Sequence, residues 1–390
     1  MANTEISAKK SLDPIALAQA LIARPSVTPA DAGAMDTVQR ALEGLGFACT
    51  RLRFGDIENL YARRGTASPN LCFAGHTDVV PSGARDLWKY DPFGAEIHGG
   101  LLIGRGAVDM KGAIAAWIAA VSRLDALPGS LSFLITGDEE GDAVDGTKKV
   151  VDYLKDKGEV VDHCIVGEPT SVAHLGDMIK IGRRGSLNAV VTVTGRQGHV
   201  AYPDRARNPL PVLIDLLADL KGRVLDDGYE GFPPSNLEIT SIDTGNPTTN
   251  LIPAQAAARL NIRFNPAHTG ASLSAWLTQR GEAHARESYR VEIKPRISGE
   301  AFLTEPGAFV DLILDTIRDR LGVAADPSTG GGTSDARFIR DLCPVVEFGL
   351  VGQTMHQVNE AVGVADLQAL TDAYQALIEA YFSKFEAKGR

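Results

Sequence analysis

Apolar positions along the first 180 residues switch between two spacings. Asp13 to Ala23 and Ala34 to Leu45 repeat every three to four residues, the period of an amphipathic helix. Asn70 to Ala74 and Leu131 to Thr136 are continuous apolar runs of strand length, and Cys164 to Val166 is a shorter one. Met110 to Leu124 reads as a helix with Ile114, Trp117, Ile118, Val121 and Leu124 on one face. Short buried strands alternating with helices predict a mainly parallel sheet covered on both faces.

The pattern changes between Ser186 and Arg296. Leu187 to Thr194 reads as a strand, Pro209 to Leu225 as a helix, and Asn236 to Ile242 and Ala256 to Phe264 as strands. Ser272 to Ala285 is a helix and Tyr289 to Pro295 a last strand. The order βαββαβ is that of a ferredoxin-like α+β sandwich, which carries its own core. The first pattern then resumes, with a helix from Phe309 to Leu321, a strand around Val345 to Phe348 and a helix from Asp366 to Phe385. The expected architecture is therefore α/β. A mixed, mainly parallel sheet flanked by helices spans 1–184 and 299–390, and an inserted ferredoxin-like domain spans 185–298.

At 390 residues, 44% hydrophobic and 23% charged, the chain has apolar material for two cores. Its net charge of −10, without a basic run, argues against nucleic acid or an anionic membrane as partner. Cys72, Cys164 and Cys343 sit in apolar runs and Cys49 stands apart, so free thiols in a reducing compartment are expected. Met1 to Lys10 is polar, and no run approaches 18 apolar residues. Neither a secretory signal nor a membrane-spanning helix is expected, and the cytoplasm is the expected location.

The candidate chemistry follows the strands. Leu71 to Gly75 leads into His76-Thr77-Asp78, and Leu131 to Thr136 into Gly137-Asp138-Glu139-Glu140-Gly141. Ile165-Val166-Gly167 leads into Glu168, and Val345 to Gly349 leads toward His356. In an open parallel sheet, sites form beyond the carboxyl ends of the strands. Asp109 stands at a helix start, after Gly104-Arg105-Gly106-Ala107. Taken singly, such an Asp is usually an N-cap, and adjacent glutamates are usually solvated. Five such residues in glycine-flanked contexts against buried strands point instead to two divalent cations, zinc above all. Asp78 can accept the second N–H of His76. Of Glu139 and Glu140, neighbours that point opposite ways in extended backbone, one can bind metal while the other acts as general base. His98, His163, His174, His268 and His284 lack such contexts and are read as structural.

These segments resemble a known family. Ala74 to Pro81, Gly104 to Gly112, Asp138-Glu139-Glu140-Gly141 and Gly167-Glu168-Pro169 look like the four metal motifs of the di-zinc aminoacylase, acetylornithine deacetylase and carboxypeptidase family. The resemblance implies two Zn2+ per subunit, with Co2+ able to replace one. It implies that His76 and Glu168 complete one site, that Glu140 and His356 complete the other, and that Asp109 bridges them. Glu139 would be the general base and Asp78 the orienter of His76.

Ile179 to Ser186, Gln197 to Pro203, Gly331 to Phe338 and Met355 to Glu360 are most similar to the members that cleave N-succinyl-LL-2,6-diaminopimelate, a step of lysine and diaminopimelate synthesis. Arg183, Arg184, Arg263 and Arg337 are candidate grips for a multiply carboxylated substrate. Ser186, Tyr202, Asn250, Gly332 and Thr333 are further substrate candidates, the glycines Gly330 to Gly332 allowing close backbone approach. The resemblance also implies a homodimer built through the inserted domain, in which His199 stabilises the oxyanion in the partner's active site.

Members acting on acetylornithine share the metal motifs; the Arg183-Arg184-Gly185-Ser186 and Gly331-Gly332-Thr333-Ser334-Asp335 segments favour the succinylated substrate. A catalytically dead scaffold would lack a ligand or the base, and none is lost. Gly104-x-Gly106 followed by Gly112 is not the dinucleotide-binding spacing. The stretch Leu350 to Thr354 before His356 is the least characteristic part of the motifs.

Overall fold

The computed structural model describes residues 11–125 and 127–385, so the polar segment 1–10 lies outside the described residues. The chain forms two compact units. One comprises the residues up to Ile181, Thr304–Ser328 and Ser334 onward; the other comprises Gly182–Leu303 with Thr329–Thr333. The divisions fall at 181/182 and 303/304 rather than at the expected 184/185 and 298/299, because Gly182–Arg183 pairs antiparallel with Phe302–Leu303 inside the second unit. Within the second unit the Thr329 hydroxyl donates to the Gly231 carbonyl at 2.5 Å.

The first unit is built on an eight-stranded sheet. Its order is Ala48–Phe54, Ile57–Arg64, Ser130–Thr136, Asn70–His76, His163–Val166, Val345–Glu347, Met178–Lys180 and Asp326–Ser328. The four strands from Ser130–Thr136 to Val345–Glu347 run parallel, and their pairings with Ile57–Arg64 on one side and Met178–Lys180 on the other are antiparallel. Every residue of Asn70–His76 and Ser130–Thr136 is buried, as coverage on both faces requires. Helix Pro14–Ile22 starts at Asp13, whose carboxylate accepts the Ile15 N–H.

Helix Lys111–Ser122 corrects the expected single apolar face: all twelve of its residues are buried. It lies against Pro14–Ile22, Val364–Lys384 and the sheet. Trp117 stacks on Phe73 at 4.6 Å and meets the edge of Tyr374 at 4.6 Å. Its alanines let the neighbouring elements close in on the sides that a polar face would occupy. The hairpin Ala48–Phe54/Ile57–Arg64 and helix Thr147–Asp156 had no counterpart in the apolar pattern.

The second unit is a four-stranded antiparallel sheet, ordered Asn236–Asp243, Gln255–Phe264, Gly185–Thr194 and Arg290–Gly299. Numbered along the chain this is 2-3-1-4, the ferredoxin-like arrangement. Helices Pro209–Lys221 and Gly270–His284 cover one face. Leu187, Val191, Leu213, Leu216, Ile262 and Leu277 form its core. Every second residue of Gly185–Thr194 turns inward, the period of a sheet with one covered face. All four cysteines are free. Among the described residues no helix is long and apolar enough to cross a membrane.

Candidate metal centre

Four adjacent parallel strands deliver the candidate ligands at their carboxyl ends. His76 ends Asn70–His76, and Glu139 and Glu140 follow Ser130–Thr136. Glu168 follows His163–Val166, and His356 lies in the loop after Val345–Glu347. Asp109 comes from the turn ahead of Lys111–Ser122. It is not the N-cap, which is Met110 and makes no side-chain bond.

The two oxygens of Asp109 are divided between two histidines. Oδ1 lies 3.2 Å from His76 Nε2 and Oδ2 lies 3.2 Å from His356 Nε2. Glu168 Oε1 is 3.7 Å from His76 Nε2, and Glu140 Oε1 is 2.8 Å from His356 Nε2. The ligand atoms of His76, Asp109 and Glu168 all fall within 4.8 Å of one another, as do those of Asp109, Glu140 and His356. Asp109 is common to both sets. Each set offers one imidazole nitrogen and two carboxylate oxygens, a donor mixture suited to a borderline divalent ion. Glu139 lies in the same cluster, grouped with His76 and Glu140.

The electrostatics are those of a site with too much negative charge. Burial and the nearby Glu168 carboxylate push the Glu139 carboxyl well above its ordinary range. Bonds to Asp109 and then Glu140 push His356 up to about 10. Burial works against protonation of His76, yet the Asp109 bond and the surrounding carboxylates carry it well above its ordinary value. Burial likewise raises Asp109, but its bonds from His356 and His76 win and hold it low. Bound cations would supply the positive charge that the histidines otherwise draw from protons.

Asp78 is placed differently from the expectation. His76 Nδ1 donates to the main-chain carbonyl of Asp78 at 2.9 Å, while the carboxylate is 3.6 Å away. That carboxylate accepts the main-chain N–H groups of Glu139 at 3.2 Å and Glu140 at 3.0 Å. Asp78 thus fixes His76 through its backbone and the Glu139–Glu140 turn through its side chain.

Two further residues of these motifs, Arg105 and Glu360, hold the site without facing it. Glu360, fully buried, accepts the N–H groups of Gly106, Val108 and Asp109 at 3.1, 2.9 and 3.2 Å. Arg105 donates to Glu360 Oε2 at 2.7 Å and to the carbonyls of His356 at 3.3 Å and Pro81 at 3.4 Å. Arg105, a charge set between Gly104 and Gly106, carries a sequence signal, whereas Glu360 carries none. The Leu350–Thr354 stretch is tied down as well: Ser171 N–H donates to the Leu350 carbonyl, Gly352 N–H to the Ser171 carbonyl, and Gln353 Nε2 to the Val172 carbonyl. Arg337 is nearly buried in the first unit, donating to the Ser334 carbonyl at 3.1 Å.

The remaining substrate candidates lie in the second unit, in two groups. Ser186 and Arg263 are cross-strand partners, and the buried Arg183 donates to the carbonyls of Gly330 at 3.4 Å and Gly332 at 3.2 Å. The Ser186 hydroxyl accepts from Asn261, and Arg184 donates to Asn236. Thr333 belongs to the same unit, at the end of that glycine segment. His199, Tyr202 and Asn250 form the other group, all exposed: Gly198–His199 pairs with Leu251–Ile252, Val200 N–H donates to the Asn250 carbonyl, and the His199 and Tyr202 rings are 5.7 Å apart.

The sequence pattern of peptidase family M20/M25/M40 matches residues 72–380. A succinyl-diaminopimelate desuccinylase of Caulobacter vibrioides is 67% identical over 378 residues, covering 96% of this chain and 97% of its own. That of Phenylobacterium zucineum is 59% identical, covering 96% and 99%. Two solved structures share the fold. An M20-family metallo-carboxypeptidase of Sulfolobus solfataricus has a TM-score of 0.80 at 17% identity, covering 95% of this chain and 100% of its own. A dinuclear metal-binding M20 peptidase of Bacillus subtilis has a TM-score of 0.71 at 16% identity, covering 96% and 98%. With a family match over most of its length and near full-length relatives at these identities, this chain belongs to peptidase family M20/M25/M40.

Proposed function

We propose that this chain is a two-zinc amidohydrolase that cleaves N-succinyl-LL-2,6-diaminopimelate to succinate and LL-2,6-diaminopimelate. The observation that carries the chemistry is the Asp109 carboxylate, which offers separate oxygens to His76 and His356 at 3.2 Å each. The names and high identities of the relatives support the substrate. His76 and Glu168 would hold one cation, Glu140 and His356 the other, and Asp109 both. Zinc is the reading the donor set favours, with cobalt as a substitute at one site.

When bound, the two cations polarise the scissile carbonyl and make water acidic enough to attack near neutral pH. Glu139 takes the proton of the attacking water and returns it to the nitrogen as the C–N bond breaks. Asp78 keeps Glu139 and Glu140 in place. Arg183 and Arg263, with Ser186, Tyr202, Asn250, Gly332 and Thr333, would bind the carboxylates and amines of the substrate. His199 would reach the oxyanion from the partner subunit of a homodimer, and the enzyme would work in the cytoplasm.

The test compares turnover of the succinylated substrate and of acetylornithine, with cation content, before and after Glu139→Ala. The variant is expected to keep two cations per chain and lose about 10²–10⁴ in turnover. Preference for acetylornithine, or an active variant, refutes the assignment.

A further inference from the structure

Asp109 and His356 both sit on irregular backbone, yet two cations would demand that they stay fixed relative to each other. His356 and Asn359 each have φ of 61°, in the left-handed region that non-glycine residues avoid unless the surroundings enforce it. The enforcing group is on the same loop. Glu360 gathers three N–H groups of the Gly106–Asp109 turn, the Asp109 amide among them, and its own carbonyl accepts from Gly104 at 2.9 Å. Arg105 sits on that carboxylate and also holds the His356 carbonyl. Asn359 adds a bond from the Lys89 amide at 2.7 Å.

From this geometry we infer that Arg105 and Glu360 are positioning residues for the cation shared by Asp109, Glu140 and His356, locking the bridging turn to the His356 loop. The other cation depends less on the lock, because His76 ends a buried strand and Glu168 follows another. The inference rests on the two-cation reading. Supporting groups one step removed from a metal typically alter affinity by about 10–100-fold.

The experiment titrates Co2+ into metal-free wild type, Glu360→Gln and Arg105→Lys, following heat and visible absorption, with circular dichroism to check folding. Glu360→Gln keeps shape but removes the charge. Arg105→Lys keeps a cation opposite Glu360 but cannot span to the His356 carbonyl, and it carries the test if the first variant does not fold. Both are expected to hold the Co2+ of Asp109, Glu140 and His356 about 10–100-fold more weakly than wild type and that of His76, Asp109 and Glu168 with a smaller loss, with turnover recovering at high Co2+. An affinity at the Asp109, Glu140 and His356 site within about twofold of wild type in a folded variant overturns the inference, as does equal weakening of both sites, which marks a general stability role. Wild type that takes fewer than two ions overturns the two-cation reading, and this inference with it.

Discussion

Asp78→Asn separates two roles for one residue. The side chain is almost wholly buried and accepts two main-chain N–H groups, from Glu139 and Glu140. Asparagine preserves the shape but has only one acceptor oxygen, so one of those N–H groups would face another donor. A hydrogen bond to a charged group is worth about 1.5–3 kcal/mol, and a buried unpaired N–H costs about 1–3 kcal/mol. The turn should therefore lose about 3–4 kcal/mol of its preference for the observed position, which is about 10²–10³ in population at 1.4 kcal/mol per decade. Turnover should fall by that factor. The main-chain carbonyl that accepts from His76 is untouched by the substitution, so the cation of His76 and Glu168 should stay. Cation content of the double variants reads this directly. Asp78→Asn with His356→Ala should still hold one ion, and Asp78→Asn with His76→Ala should hold none. If Asp78→Asn instead loses the His76 ion and keeps the other, the carboxylate is the partner of His76 after all and the backbone assignment is wrong.

Three further outcomes are expected. Gly349→Ala would place a Cβ 2.4 Å from the Glu168 carbonyl and 2.6 Å from that of Gly167, backbone that cannot swing aside; cation analysis and thermal unfolding should show the Glu168 ion weakened and stability lowered by about 1–3 kcal/mol. Asp226 accepts from Ser235, Gly228 and Asn265, and although burial opposes ionisation these bonds hold its carboxyl at about 2, below its ordinary 3.8. A depressed carboxyl stabilises the fold fully above its unfolded value and loses that contribution as pH falls through the folded one. Urea unfolding should thus find Asp226→Asn less stable than wild type at pH 7, with the gap closing toward pH 2; a gap constant with pH contradicts the assignment. His199→Ala should keep both cations yet lose about 10²–10³ in turnover as an oxyanion donor, and wild-type turnover would remove it from the active site.

What was legible in advance depended on how local the physics is. His76 and Glu168 could be read because a buried strand ends in glycine and then in a group that cannot be buried unpaired. Helix Lys111–Ser122 was found, but its surroundings were misjudged: alanine reads as indifferent in a periodicity, while in the packed unit it is what admits three neighbours. The hairpin Ala48–Phe54/Ile57–Arg64 escaped because its first strand is mostly polar or half exposed, leaving no apolar run to detect. Asp109 was singled out against the local preference for an N-cap, and only the convergence of segments as distant as His76 and His356 shows why it is not one. Glu360 is the extreme case. Apart from Arg105, its partners are backbone amides some 250 positions earlier, which carry no side-chain signature at all. The ligands are thus marked by their own strands, whereas the residues that hold them still are marked only by the fold, and substitutions there should disturb cation affinity before they touch any group that contacts substrate.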